Sequence, residues 1–128
     1  MRNSKLSLSI LKEKLAVCQL EANEQIPDWV KNGVFYSISI TIDELSIVCL
    51  EKDVPDSIKS EKDWRAIKVE GKLDFSQTGI LASIALSLAE SGISIFAVST
   101  FNTDYILVKS YNLIKAIEVL EKLFYIKS

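Results

Sequence analysis

Hydrophobic residues change their spacing part-way along this chain, and that change limits the fold more than any other feature. In the first half they alternate. Leu6, Leu8 and Ile10 are separated by Ser7 and Ser9, the period-2 signature of a half-buried strand. Lys12-Glu13-Lys14 suits a turn, and Leu15 to Leu20 reads as a second strand. Pro27 suits the first turn of a short helix ending near Gly33. From Val34 to Ile42 the even positions Tyr36, Ile38, Ile40 and Ile42 are apolar while Ser37, Ser39 and Thr41 are polar. Asp43-Glu44 turns this strand back into Leu45 to Leu50, a hairpin.

Past a charge-rich stretch from Glu51 to Asp63 the period lengthens. Trp64 to Val69 reads as a strand that runs out at Gly71. Gln77 to Ser91 then carries Ile80, Leu81, Ile84, Ala85, Leu88 and Ala89 on one continuous helical face. Asp74 or Ser76 suits its N-cap, and Gly92 falls where a left-handed residue ends a helix. Ile93 to Thr100 is nearly all apolar or small, as in a strand covered on both faces. Phe101 to Asp104 is a turn, Tyr105 to Lys109 the return strand, and Asn112 caps a last helix. That helix turns Leu113, Ile117, Leu120 and Phe124 inward, with Glu118 four residues before Lys122. Strand, helix, strand, strand, helix lacks one strand of a split βαβ unit. The expected class is α+β, with two units divided at 1–60 and 61–128.

Leu, Ile, Val and Phe make up 45 of 128 residues, enough apolar surface to offset the entropy of ordering the chain. The net charge is −2 and no basic stripe is present, which argues against a nucleic-acid partner. No apolar run approaches the ~18 residues of a membrane span, and Met1 to Lys5 makes a poor signal peptide. Cys18 and Cys49 lie in apolar stretches and read as reduced core residues of a cytoplasmic protein. Histidine is absent, so histidine-based nucleophile systems and imidazole zinc sites are excluded. Gly33, Gly71, Gly79 and Gly92 are isolated and form no phosphate loop. The expectation is a non-catalytic protein without cofactor or metal.

Several stretches resemble the ACT-domain proteins, of the small tandem kind related to the cytosolic arginine sensors of animal cells. They are Trp64-Arg65-Ala66-Ile67-Lys68-Val69, Gly79-Ile80-Leu81, Leu88 to Ser94, and above all Ser99 to Val108 with its Ser-Thr-Phe-x-x-Asp block. Weaker agreement runs through Tyr36 to Ser39 and Asp43 to Val48. The resemblance implies a ferredoxin-like (βαββαβ) ACT fold in two tandem units, the first degenerate, with antiparallel sheets and helices on one face. It also implies regulatory binding of an amino acid at an interface between ACT units. Carried over, the ligand residues are Gly79, Ile80, Thr100, Phe101 and Asp104, with Ser83 and Ile84 from the matching helix of a second unit.

The residue chemistry fits such a ligand. Free N–H groups at a helix start bind a carboxylate. Gly79 lets backbone approach it, and Asp104 accepts an ammonium or a guanidinium. Thr100 Oγ completes the set and Phe101 covers an aliphatic portion. Each residue also has a plainer role: Asp104 suits the end of a tight turn, Gly79 relief of helix–sheet crowding, and Phe101 the core. With at most two units in the chain, a homodimer about a two-fold axis is the expected way to complete a site. A protein-interaction module with a vestigial pocket is the alternative.

Overall fold

The structure, a computed structural model, describes residues 6–71 and 79–127. Asp74, Ser76 and Gln77, the expected cap and start of the long helix, lie outside those residues. In chain order the strands are β1 (Ser7–Ile10), β2 (Leu15–Leu20), β3 (Ser37–Ile40), β4 (Leu45–Leu50) and β5 (Lys59–Val69). After β5 come α1 (Ile80–Glu90), β6 (Ile95–Ser99), β7 (Asp104–Lys109), α2 (Leu113–Leu120) and β8 (Tyr125–Lys127). The chain divides into two compact units: Glu13–Trp64, and Met1–Lys12 together with Arg65–Ser128. This differs from a single cut near residue 60, because β1 pairs with strands of the second half.

In the unit 13–64 the strand order is β3-β4-β2-β5, with β4 antiparallel to both its neighbours. The expected strand over 34–42 is regular only over Ser37–Ile40. Ala16, Cys18 and Leu20 face Cys49, Ile47 and Leu45 across the ladder and form the core with Val30 and Val54. Val30 comes from the 3-10 helix Asp28–Asn32 that begins after Pro27, as the sequence suggested. Both cysteines are buried and free. The thiols are hydrogen-bonded to each other; this bond and burial push Cys49 well above the ordinary thiol range, whereas the same bond draws Cys18 down. Between Leu15 and Val17 the pairing of β2 with β5 shifts register. Beside the shift Asp63 takes φ 73, its amide donating to Glu51 at 2.6 Å and its carboxylate 3.0 Å from Lys14.

The other unit is larger. Its strands run in the order β6-β7-β5-β1-β8. Leu8 on β1 lies opposite Val69 of antiparallel β5 and Ile126 of parallel β8. The sheet is therefore mixed, where a purely antiparallel one was expected. The reason is that β1 enters from outside the βαββαβ sequence, so β8, delivered by α2, meets a strand running its own way. β8 supplies the strand missing from the sequence pattern; α2 stops at Leu120, short of the expected Phe124 and Lys122. Both helices pack on the core of Leu8, Ile67, Val69, Ile84, Leu88, Ile106, Val108, Ala116 and Leu120. Helix α1 ends in a Schellman motif: Gly92 (φ 74) donates to Ala89 and Ile93 to Leu88, while Ile93 and Leu88 bury together. Strand β6 is not covered on both faces as its composition suggested. Among the described residues it pairs only with β7, and Ala97 and Ser99 are exposed.

On the opposite face, Ser9 donates a hydrogen bond to Glu70. That bond, aided by the charges of Lys68 and Lys127 against partial burial, holds the Glu70 carboxyl below the usual range. Two outcomes follow for equilibrium unfolding in urea. Leu8→Ala, which empties a fully buried site, lowers stability by about 3 kcal/mol. Ser9→Ala lowers stability at pH 7, and the deficit fades in acid. The lost stabilisation is full above the usual carboxylate range and disappears as pH falls through the depressed Glu70 value.

Candidate functional site

The start of α1 is unusual. Gly79 is the N-cap, at φ 86 and ψ −7, a left-handed conformation that glycine adopts without strain. The Ser83 amide closes the first helical bond onto the Gly79 carbonyl at 2.8 Å. Gly79 has no side chain to cap the amides of Ile80, Leu81 and Ala82, and the first turn holds no acidic residue. Gly79 thus supplies no side-chain cap at the positive end of the helix dipole. Ile80 is half-buried against the core, and Ser83 is half-buried one turn on. Ile84 is completely buried in the core, so its side chain is committed to packing and does not face a ligand.

The turn between β6 and β7 is built by its own threonines. Thr100 donates its amide to the Thr103 carbonyl at 2.8 Å, and the Thr103 amide donates back to Thr100 Oγ1 at 3.3 Å. Thr103, buried, donates its hydroxyl to the Val69 carbonyl at 2.6 Å and so ties the turn to the end of β5. Asp104 lies opposite Ser99, whose hydroxyl donates to its carboxylate at 2.6 Å. Side chains alternate along strands, so Ser99 and Asp104 share the helix-covered face with Ile95 and Ile106. Phe101 is 75% exposed, which removes the plainer reading of it as core.

A cleft of about 340 Å³ also reaches this end, lined by Lys68, Gly71, Thr100, Asn102, Thr103 and Tyr105. Of the seven residues singled out from the sequence, Thr100 alone lines it. Lys68 and Tyr105 lie between core-facing neighbours (Ile67 and Val69, Asp104 and Ile106) and so belong to the other face of the sheet. Sequence reasoning missed Lys68; the signal was its out-of-phase place in a strand ending beside the turn. Chemically, this end of the sheet offers amide donors and an ammonium for anions, and one carboxylate for a cation. Among the described residues no group of three or more His, Cys, Asp or Glu is placed to hold a metal ion. No described helix is long and apolar enough to cross a membrane.

Comparison with known proteins matches residues 59–122 to the ACT domain model, half of the chain. The chain belongs to the ACT-domain family. A second model, for an N-terminal domain, matches residues 13–57, close to the limits of the smaller unit. A crystallised protein of Agobacterium tumefaciens is 37% identical, with a TM-score of 0.90 over 98% of this chain and 94% of that one. The human protein named cytosolic arginine sensor for mTORC1 subunit 1 is 34% identical over 96 residues, 69% of this chain. That match spans 29% of the human protein's length. The regulatory subunit of aspartate kinase from Thermus flavus shares the fold at 8% identity, with a TM-score of 0.69 over 94% of this chain and 99% of that one. The chain is thus an α+β protein of two ACT-like units.

The conformation of Gly79 gives a direct test. Gly79→Ala lowers stability in urea by about 1–2 kcal/mol although its new methyl would meet nothing within 4 Å, because the cost is backbone strain and not a clash.

Proposed function

We propose that this ACT protein is a non-catalytic regulator that binds a free amino acid at an interface between ACT units. Two features support the reading: Gly79, the left-handed N-cap of α1, supplies no capping side chain, and the Asp104 carboxylate lies on the sheet face that carries the helix-packed core. In this reading the amides after Gly79, beginning at Ile80, receive the α-carboxylate. Asp104 receives the α-ammonium or a guanidinium, Thr100 contributes its hydroxyl, and exposed Phe101 lies over the aliphatic portion. Ser83 lies one helical turn along from Gly79, while Ile84 supports the helix from the core. A second copy completes the site, and binding favours one arrangement of the two. Support for the ligand class comes from the human relative, named an arginine sensor, and from the family's match to this chain. A single carboxylate accepts arginine, lysine or a neutral amino acid alike, so the ligand is defined here as an α-amino acid. The same relative's name and the buried free thiols support a cytoplasmic setting.

The competing interaction-module reading is favoured by exposed Phe101, Tyr111 and Ile114. Thermal unfolding against each of the twenty amino acids separates the two. At 100 times the dissociation constant, the true ligand stabilises the protein by about 2.7 kcal/mol. Asp104→Ala abolishes that shift while Glu118→Ala keeps it. No shift with any amino acid at millimolar concentration rejects the sensor.

A further inference from the structure

The chain's two cysteines lie on neighbouring strands of the unit 13–64. In the ladder of β2 with β4, Cys18 stands opposite Ile47 and Cys49 opposite Ala16. The thiols are therefore diagonal neighbours on one face, inside one core, and near enough to share a hydrogen bond. Their surroundings differ. The bond to Cys49, aided against burial by the charge of Lys62, favours the thiolate at Cys18. The bond to Cys18, burial and the Asp53 carboxylate keep Cys49 protonated. One sulfur is thus set up as a nucleophile and the other to follow it. β2 also has slack beside this pair. Where its pairing with β5 shifts register, Lys62 and Asp63 together stand against Ala16, two residues before Cys18.

We propose that Cys18 and Cys49 form a reversible dithiol–disulfide switch whose oxidant is hydrogen peroxide. The Cys18 thiolate attacks one peroxide oxygen: the S–O bond forms, the O–O bond breaks, and the departing hydroxide takes up the Cys18 proton as water. The Cys49 sulfur then attacks the sulfenic sulfur of Cys18. The S–S bond forms, the S–O bond breaks, and hydroxide leaves with the Cys49 proton as a second water. The two sulfurs together lose two electrons and the peroxide gains them. The cover over the pair suits a small oxidant. Ile26, Trp29, Val30 and Val54 pack in the same core from the 3-10 helix Asp28–Asn32 and irregular chain around it, which opens locally more readily than a ladder. Diagonal Cα atoms across a ladder are about 7–8 Å apart, and a disulfide draws them to about 5.5–6 Å. Closing the bond therefore pulls β2 and β4 from their relaxed pairing and leaves it easily reduced. The switch lies wholly within residues 13–64 and requires no amino-acid ligand.

Thiol labelling of the full chain tests it. The folded protein is treated with hydrogen peroxide, then unfolded in guanidinium and alkylated with iodoacetamide. The expected product has lost two hydrogens, takes up no label, and gives tryptic peptides 15–31 and 32–52 joined by a disulfide. Dithiothreitol restores both labels. Cys49→Ala halts the sequence at a sulfenic acid on Cys18 that dimedone captures, whereas Cys18→Ala gives no dimedone adduct. Circular dichroism checks that both variants fold, and the wild-type cross-link depends on neither. Two alkylated thiols after peroxide overturn the proposal. So do a disulfide between chains, a cross-link formed only when peroxide is added in guanidinium, dimedone capture at Cys49, or a bond that dithiothreitol leaves intact.

Discussion

The larger unit depends on burying Leu8 between two strands that lie far along the chain from it. Leu8 has no exposed surface, and its neighbours Val69 and Ile126 come from β5 and β8. Arg65 fixes the same junction, donating two hydrogen bonds to the Leu11 carbonyl at 3.1 and 3.0 Å. Holding β1 there requires the intervening residues 13–64 to be closed off as a loop. The entropy of that closure grows only slowly with length, so a complete folded unit is tolerated inside it. The same arrangement delays folding, because β1 finds its place only once residues after Arg65 are available.

Burial of β1 also sets the character of the candidate site. The sheet's order brings the end of β6 and the start of β7 close to the end of β5. There Thr103 spends its hydroxyl on Val69, which makes the β6–β7 turn part of the framework. Asp104 is then positioned by Ser99 and by ladder pairing. The apolar bulk of α1 stays in the core.

Much of the fold was legible. Alternation in residues 6–10 and the apolar runs 15–20 and 45–50 located those strands closely, and the apolar face through Leu88 located α1 up to its Gly92 stop. The misjudged elements share one cause. Composition of Ile93 to Thr100 suggested a strand buried on both sides, yet position at the sheet's edge decides cover, and edge position is a matter of pairing. β8, three residues long, is too short to carry a period of its own. The site was legible only in part. Gly79 and Asp104 were singled out for their residue chemistry, Ile84 lies fully buried in the core, and Lys68, which lines the cleft, went unseen.

The amino-acid sequence by itself determined the α+β class, the helical face of α1, the strand-rich first half and the absence of histidine chemistry, because these follow from local periodicity and residue type. Only the tertiary structure decided that β1 joins the second half, that the sheet is mixed, and that Asp104 lies on the face of the sheet that holds the helix-packed core. Those are matters of pairing between distant segments, where backbone hydrogen bonds carry no sequence label and the total burial of apolar side chains makes the selection.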